Sequence, residues 1–455
     1  MVFSSIMFIF RFLPIMFIIY YLTPNKFKNL SLLILSLVFY SWGEPKYFII
    51  MLLSIGVDYS ISIFIEKYRE KKIITKVLLF CSLIFNLGML ILFKYLNFFI
   101  ENINLVLGTS LSLIYLTLPL GISFYTFQTM SYTIDVYRGK IKAERNIINF
   151  GAYVCLFPQL IAGPIVKYSD IKNELKNRKI KVNQVEEGIT EFIIGMGKKV
   201  LIANNIGLLW NEIQEFGISY VSTPLLWLGV IAFSFQIYFD FSGYSSMAIG
   251  LGKMLGFDFP ENFNFPYISR SITEFWRRWH ITLGAWFKEY VYIPMGGNRL
   301  GKKRTVMNLF IVWFLTGFWH GAKYNFIIWG LYFFFLIVIE KVFLMNYLNK
   351  YKILSHIYAI VFIVFGWALF SFEDLLSIKY LFRMNFSLDF IYYLRNYFLV
   401  LIIAILGSTK LINNIYERFI KKNKSLECLV LMMVFILSVA YLVDSTYNPF
   451  LYFRF

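Results

Sequence analysis

Hydrophobic runs recur along the whole chain and are separated by short polar connections. They predict membrane helices, since a helix needs about 20 mostly apolar residues to span the hydrocarbon core. Several runs are shorter, which predicts tilted, broken, interfacial or re-entrant segments. The runs fall at 5–22, 30–42, 46–65, 74–94, 103–118, 120–136, 147–166, 188–208, 222–239, 324–343, 352–370, 394–408 and 426–443. We predict an all-α polytopic membrane protein with about 11 to 13 membrane segments.

One integral-membrane domain is expected over residues 1–455, with the densest chemistry between 236 and 330. There, two apolar runs of 14 residues, 306–319 and 326–339, flank the polar sequence His-Gly-Ala-Lys-Tyr-Asn. Neither run comfortably spans the hydrocarbon. The pattern predicts two segments that meet at a polar break, with His320 in a cavity. An ionisable side chain at such a depth is a functional candidate; the alternative is a histidine that only stabilises helix packing.

A second pattern lies between Ser271 and Pro294. Ser271 followed by Glu274 is a capping box, which predicts a helix that begins near Ser271. One face of that helix carries Trp276, Trp279, Leu283, Trp286, Phe287 and Tyr290, whereas Arg277 and Arg278 lie largely off it. This helix should be amphipathic and interfacial. His280 would follow Trp276 by one helical turn; an interfacial histidine that hydrogen-bonds a neighbour is the alternative.

Asp240 is an acidic side chain between two apolar runs. A carboxylate at membrane depth requires a partner or a water-filled cavity. Two interpretations remain open: a functional carboxylate, or an aspartate that pairs to tie two helices together.

Composition agrees with a membrane location: 59% of residues are hydrophobic, 15% are charged and the mean hydropathy is +0.65. The net charge of +18 comes from Lys and Arg in short connections, a pattern that marks cytoplasmic loops. Nucleic acid is not expected as a partner, because no soluble domain is predicted to hold it. The three cysteines lie far apart and show no metal-ligand spacing. The amino-terminal apolar run lacks signal-peptide features and is interpreted as a retained membrane segment.

Histidine can take a proton from a hydroxyl and return it near neutral pH, which suits attack of an alcohol on an acyl thioester. The nucleophile elbow, the phosphate-binding loop and the His-Glu-x-x-His motif are absent from the sequence. From the residues alone, acyl transfer and a transporter that relays protons through His320 and Asp240 both remain open.

Longer motifs resemble a known family. Residues 238–299, which include FWRRWHITLGAWFKEYVYIPMGGNR, and GFWHG at 317–321 are similar to the two signature motifs of the membrane-bound O-acyltransferases. The stretches at 2–15, 118–139, 157–171 and 447–455 resemble the bacterial alginate O-acetyltransferase branch of that family.

The resemblance implies a helical ring around a tunnel, with His320 and His280 as catalytic residues. Asp240, Trp276, Arg277, Arg278, Trp279, Trp319 and Asn325 would support them, and no metal or bound cofactor is expected. Acetyl-CoA or another acetyl thioester would be the donor on the cytoplasmic side. The acceptor would be a hydroxyl of an extracytoplasmic polysaccharide or of a partner protein of the serine-esterase-like (SGNH) type. The location would be the bacterial plasma membrane. The related D-alanyl transfer to teichoic acid is the alternative.

Overall fold

The computed structural model describes residues 2–114, 116–161 and 163–444, and every regular element within them is a helix. The predicted all-α class is therefore confirmed. The motif at 447–455 lies outside the described residues. The α-helices are α1 Leu13–Leu22, α2 Lys28–Gly43, α3 Phe48–Lys67, α4 Lys72–Leu90, α5 Leu96–Leu107, α6 Ile122–Tyr137, α7 Ile147–Cys155, α8 Phe157–Leu160, α9 Tyr168–Lys176, α10 Val182–Gly197, α11 Asn205–Phe216, α12 Thr223–Met254, α13 Ile272–Arg278, α14 Ile281–Phe287, α15 Lys302–His320, α16 Tyr324–Ile339, α17 Met345–Lys350, α18 Lys352–Ser371, α19 Asp389–Gly407, α20 Lys410–Ile415 and α21 Lys424–Asp444.

Six π-helical segments adjoin these α-helices, and three 3₁₀ turns complete the regular structure of the described residues. The π segments are Phe8–Phe12, Ile91–Tyr95, Lys198–Asn204, Lys288–Tyr292, Glu340–Leu344 and Tyr416–Ile420. The 3₁₀ turns are Asn25–Phe27, Pro266–Ile268 and Leu375–Phe382.

Eight helical stretches of the described chain are long and apolar enough to cross a membrane. They are Phe48–Lys67, Lys72–Leu107, Val182–Phe216, Thr223–Met254, Tyr324–Lys350, Lys352–Ser371, Asp389–Gly407 and Lys424–Asp444. Each corresponds to one or more of the predicted apolar runs, which confirms the multi-pass character of the chain. Further predicted segments coincide with helices of 10–17 residues, such as α2, α6 and Phe8–Leu22. How many of those cross the membrane stays a prediction.

Two predicted segments have the wrong extent. The run 103–118 is not one helix, because α5 ends at Leu107 and Gly108 follows in the left-handed conformation with φ 65°. The run 147–166 is divided at Leu156, which has extended ψ, between α7 and the single turn α8. Pro158 lies in the first turn of α8, where the missing N–H costs nothing. Apolar content alone does not reveal such breaks, because apolar residues continue on both sides of each one.

The chain divides into two compact units. The first is formed by Met1–Phe192 with Met247–Pro260, and the second by Ile193–Ser246 with Glu261–Phe455. The prediction of one membrane domain over 1–455 stays a prediction. Both signature histidines belong to the second unit.

A buried carboxylate joins three helices of the first unit. Asp58 on α3 is fully buried and accepts hydrogen bonds from Ser82 and Asn86 on α4 and from Thr133 on α6. Thr129 donates in turn to the amide oxygen of Asn86. The donors are neutral hydroxyl and amide groups. They solvate the buried carboxyl group in place of water.

In the second unit, α15 and α16 form a hairpin whose turn follows His320. Gly317 and Gly330 lie where the two helices cross: a Cβ at Gly317 would overlap the carbonyl oxygen of Phe326, and one at Gly330 would overlap that of Trp313. Without side chains at these two positions the backbones come into direct contact, as small residues allow in membrane helix pairs. The predicted polar break between two apolar segments is confirmed.

We expect Gly317→Ala and Gly330→Ala each to destabilise the fold by about 1–3 kcal/mol, because the added methyl group forces the hairpin apart. The measurement is the thermal unfolding midpoint of the detergent-purified protein. Gly88→Ala on α4 is the control: a Cβ there meets nothing within 4 Å, so the better helix propensity should leave stability unchanged or raise it by up to about 1 kcal/mol. Equal midpoints for Gly317→Ala and Gly88→Ala would contradict the close crossing.

Candidate functional site

His280 lies at a sharp corner between α13 and α14. Its backbone is left-handed, with φ 45° and ψ 53°, a conformation that non-glycine residues adopt rarely and often at functional sites. The prediction of one continuous helix from Ser271 to Pro294 is therefore wrong, and His280 does not follow Trp276 by a helical turn. The predicted start is confirmed, because the Ser271 hydroxyl accepts from the Glu274 N–H at 2.9 Å.

Asn262 holds this corner in place. Its side-chain oxygen accepts from the backbone N–H of Thr282 at 3.2 Å and from the Thr282 hydroxyl at 2.8 Å. Its backbone oxygen accepts from the N–H of Ile281 at 3.0 Å. The first N–H groups of α14 are thus satisfied from outside the helix, which compensates for the left-handed residue that precedes it. Asn262 was not singled out from the sequence, although it lies within the motif region 238–299.

The same amide oxygen determines the tautomer of His280. The Nδ1 atom lies 3.2 Å from Asn262 Oδ1. Because that oxygen can only accept, Nδ1 carries the proton and Nε2 carries the lone pair. The Phe241 ring packs edge-on at 4.7 Å between ring centroids. Burial lowers the pKa of His280 to about 3, so its imidazole is neutral at physiological pH and can accept a proton or a hydrogen bond through Nε2.

A cavity of about 250 Å³ opens beside His280. Two lysines, three tryptophans and mostly apolar side chains line it: Trp276, Trp279, His280, Leu283, Gly284, Phe287, Lys288, Tyr292, Leu309, Val312, Trp313, Thr316 and Lys341. Lys288 and Lys341 are exposed, whereas Trp279 and His280 are buried. The cavity therefore combines exposed positive charges with an apolar, aromatic interior that contains a neutral imidazole.

The face of α15 that lines this cavity extends along the helix to His320. Leu309, Val312 and Thr316 follow each other at helical spacing along α15, and His320 is the next position on that face, four residues after Thr316. Between the histidines lies Trp319, whose ring centroid is 6.1 Å from that of His280 and 4.9 Å from that of His320. The cavity thus runs along one helix face that continues to the second histidine.

His320 ends α15 among aromatic rings. Its ring centroid lies 5.0 Å from that of Trp329 and 5.4 Å from that of Phe370, and only 7% of the residue is exposed. The residues that line the 250 Å³ cavity do not include His320, so its predicted place in a cavity stays a prediction. Asn325, at the start of α16, is buried and donates to the backbone oxygen of Phe370 at 3.0 Å. His320 and Asn325 thus both contact Phe370, and Trp319 packs against His320.

Glu340 anchors the helix that precedes the His280 corner. This fully buried carboxylate accepts from the backbone N–H groups of Ile272 and Thr273 and from the Thr273 hydroxyl. It satisfies the first donors of α13, and its chain neighbour Lys341 lines the cavity. Sequence reasoning missed both residues; an acid and a base at the end of the apolar run 324–343 were the available signal.

Asp240 forms a buried ion pair. Lys199 Nζ lies 2.8 Å from its Oδ1, and the two side chains are 1% and 4% exposed. Lys199 also donates to the side-chain oxygen of Asn204 at 2.8 Å. The interpretation that Asp240 ties two helical segments together is thus supported by a partner, Lys199, that was not anticipated. A lysine inside the apolar run 188–208 was the signal.

The two arginines of α13 differ in their surroundings. Arg278 forms an ion pair with Glu274 at 2.9 Å and donates to the backbone oxygen of Asn264 at 3.1 Å, so it braces the corner. Arg277 is exposed, near enough to Lys341 to interact with it electrostatically. Within 2–114, 116–161 and 163–444, no group of three His, Cys, Asp or Glu side chains could hold a metal ion.

Comparison with known proteins places these features in context. Residues 141–382 match the family described as MBOAT, membrane-bound O-acyltransferase. The chain is 43% identical to the probable alginate O-acetylase AlgI of Pseudomonas syringae pv. tomato, over 82% of this chain and 73% of that protein. It is 37% identical to the peptidoglycan O-acetyltransferase of Helicobacter pylori, over 73% of this chain and 68% of that protein. It is 31% identical to the teichoic acid D-alanyltransferase of Bacillus subtilis, over 55% and 68%.

We expect Asp240→Asn to destabilise the protein by about 3–5 kcal/mol, because it leaves the Lys199 ammonium buried without its counter-ion. The readout is the thermal midpoint in detergent. The double variant Lys199→Met, Asp240→Leu should recover much of the loss, since both charges are removed together. As a control, Glu417→Gln breaks an exposed pair with Lys421 and should change stability by at most about 1 kcal/mol. No recovery in the double variant would contradict this account.

Acidification should destabilise the fold through His280. Because its pKa is low in the folded state, the unfolded chain binds the extra proton below about pH 6.5, and stability falls by up to about 1.4 kcal/mol per pH unit. His280→Asn, which tolerates the left-handed backbone, should show a shallower decline of the thermal midpoint between pH 7 and 5. His280→Ala should be less stable than His280→Asn at every pH, because alanine does not tolerate the left-handed backbone. Identical slopes for wild type and His280→Asn would count against the buried neutral imidazole.

Proposed function

The chain belongs to the membrane-bound O-acyltransferase family, and we propose that it transfers an acetyl group across the membrane. The donor is an acetyl thioester, for which acetyl-CoA is the simplest candidate, on the cytoplasmic side. The acceptor is a hydroxyl group on the opposite side. The chain is a multi-pass membrane enzyme, and we assign it to the bacterial plasma membrane.

The observation that carries this proposal is the path along α15. The cavity beside His280 has Lys288 and Lys341 among its lining residues, and its α15 wall continues toward His320. The basic stretch 299–304 includes the first turn of α15, and Lys/Arg-rich stretches next to membrane segments mark the cytoplasmic side. An anionic thioester donor would thus meet positive charge first, and its acyl group would reach the apolar interior between the two histidines.

His320 is the general base in this proposal. It takes the proton from the acceptor hydroxyl while the hydroxyl oxygen attacks the thioester carbonyl carbon. The new C–O bond forms, the C–S bond breaks, and the thiolate that leaves takes up the proton from the imidazolium. Trp329 and Phe370 pack against the His320 ring, and such an apolar surrounding would favour transfer of the acetyl group to the acceptor over hydrolysis. A positioned base of this kind typically contributes about 10²–10⁴-fold.

His280 acts beside the donor. Its neutral imidazole directs the Nε2 lone pair rather than a positive charge toward its surroundings, and Asn262 keeps it in that tautomer. We assign it to orienting the thioester and maintaining the geometry of the cavity. Trp276 and Trp279 line the same cavity and would pack against the donor arm, while Arg277 would attract anionic groups of the donor.

The acceptor is proposed to be an extracytoplasmic polysaccharide, reached directly or through a partner protein. The relatives include an alginate O-acetylase and a peptidoglycan O-acetyltransferase, whose names specify acetyl transfer to different glycans. A partner with a serine-esterase-like (SGNH-type) domain could accept the acetyl group on its serine hydroxyl and pass it on to the polymer.

D-alanyl transfer to teichoic acid is the weaker alternative. The D-alanyltransferase of Bacillus subtilis aligns with 55% of this chain at 31% identity, whereas the alginate O-acetylase aligns with 82% at 43%. A transporter without acyl chemistry is not supported, because the chain belongs to an acyltransferase family and Asp240 is neutralised by Lys199.

We expect His320→Ala to reduce O-acetylation of the surface polysaccharide at least about 10²-fold, since the base is lost. The measurement is ester-linked acetate released from purified surface glycans of a deletion strain that carries each variant, with the amount of protein in the membrane determined in parallel. His356→Ala is the control: this third histidine is exposed and contacts the backbone oxygen of Ser269. Full acetylation by His320→Ala would remove His320 from the mechanism.

A further inference from the structure

A second cavity, of about 330 Å³, lies between the start of α15 and the last turn of α16 with the π segment that follows it. Its polar lining includes Lys302, Lys341 and Asn298, and its apolar lining includes Val306, Val338 and Val342. Its lining residues include no acidic side chain. We call this cavity the basic groove. It presents two ammonium groups above an aliphatic floor.

The loop that bears Asn298 is held against α15 by hydrogen bonds. Asn308, which is fully buried on α15, donates to the backbone oxygens of Met295 and Gly297 at 3.2 and 2.8 Å. Arg304 donates to the same Met295 oxygen at 3.2 Å. The position of Asn298 relative to Lys302 is therefore set by hydrogen bonds from α15 itself, so the groove exists before any ligand enters it.

The helices that form the groove also bear apolar side chains that are exposed next to it. Val342 and Phe343 are 58% and 69% exposed, and Met307 on α15 is 52% exposed. In a membrane protein such side chains face lipid, so the aliphatic floor of the groove is continuous with a surface suited to acyl chains. A small anion such as inorganic phosphate would leave that apolar surface unused.

We propose that the basic groove binds the headgroup of an anionic phospholipid. The phosphate would lie between Lys302 and Lys341, the Asn298 amide would donate to the polar headgroup, and the acyl chains would extend over Val342 and Phe343. Basic pockets between membrane helices on the cytoplasmic side are a recognised place for anionic headgroups. The basic stretch 299–304 at the start of α15 predicts that side for the groove.

A lipid bound in the basic groove would change the charge next to the cavity beside His280. Lys341 and Leu309 line both the basic groove and the cavity beside His280. A phosphate bound to Lys341 would neutralise one of the two lysines that line the cavity beside His280. The lipid would thereby alter how strongly that cavity attracts an anionic donor, which makes the groove a candidate site of regulation by membrane composition.

The test is native mass spectrometry of the full-length protein, delipidated in mild detergent and mixed with equimolar phosphatidylglycerol and phosphatidylcholine. Wild type should retain one phosphatidylglycerol in preference to phosphatidylcholine. Lys302→Gln with Lys341→Gln should weaken that retention by about tenfold or more. Val306→Trp fills the groove while every charge remains, and it should also abolish the preference. Lys71→Gln with Lys72→Gln removes the same charge from a connection in the other unit and should have no effect.

Equal retention of the two lipids by wild type, or the same loss in the Lys71 and Lys72 control, would overturn the proposal. So would retention of phosphatidylglycerol at the wild-type level by the Val306→Trp variant, in which the groove is filled while every charge remains. Thermal midpoints of all variants are to be measured in parallel, and unchanged midpoints would exclude unfolding as the cause of any loss. The readout is lipid retention without donor, so its result does not depend on whether the chain transfers acetyl groups.

Discussion

The contact of α15 with α16 at Gly317 and Gly330 is the constraint on which the site depends. Because two glycines meet there, the backbones touch and the hairpin turn closes immediately after His320. The same contact brings Trp313 and Trp329 within reach of Trp276 on α13. A bulkier residue at the crossing would move His320 away from its aromatic neighbours and would also open the wall of the cavity beside His280.

Three helices around the site depend on polar side chains from other segments of the chain. Asn262 caps the helix after His280, Glu340 caps the helix before it, and Lys199 neutralises Asp240. In water each of these groups could be solvated individually, but in a membrane an unpaired group costs several kcal/mol. The left-handed backbone at His280 is maintained by the hydrogen bonds of Glu340 to the start of α13 and of Asn262 to the start of α14.

The sequence predicted the helical class, the polar break after His320 and the start of α13, because each has a local signal: an apolar run, a polar interruption and a capping box. It did not predict the corner at His280, because the periodicity of aromatic residues continues through it from Trp276 to Tyr290. The left-handed conformation is imposed by Asn262, which lies on another segment. Lys199 and Lys341 were missed for a similar reason, since their roles come from tertiary neighbours.

Asp58 has a consequence for how the protein is made. The helix α3 carries a carboxylate that costs about 2.5–3.5 kcal/mol at the centre of a bilayer, and its hydrogen-bond donors lie on α4 and α6. Thr133, the last of them, is 75 residues further along the chain. While the ribosome is still synthesising α6, α3 lacks that donor, so it should be retained near the insertion machinery until α4 and α6 arrive and the three helices enter the lipid together.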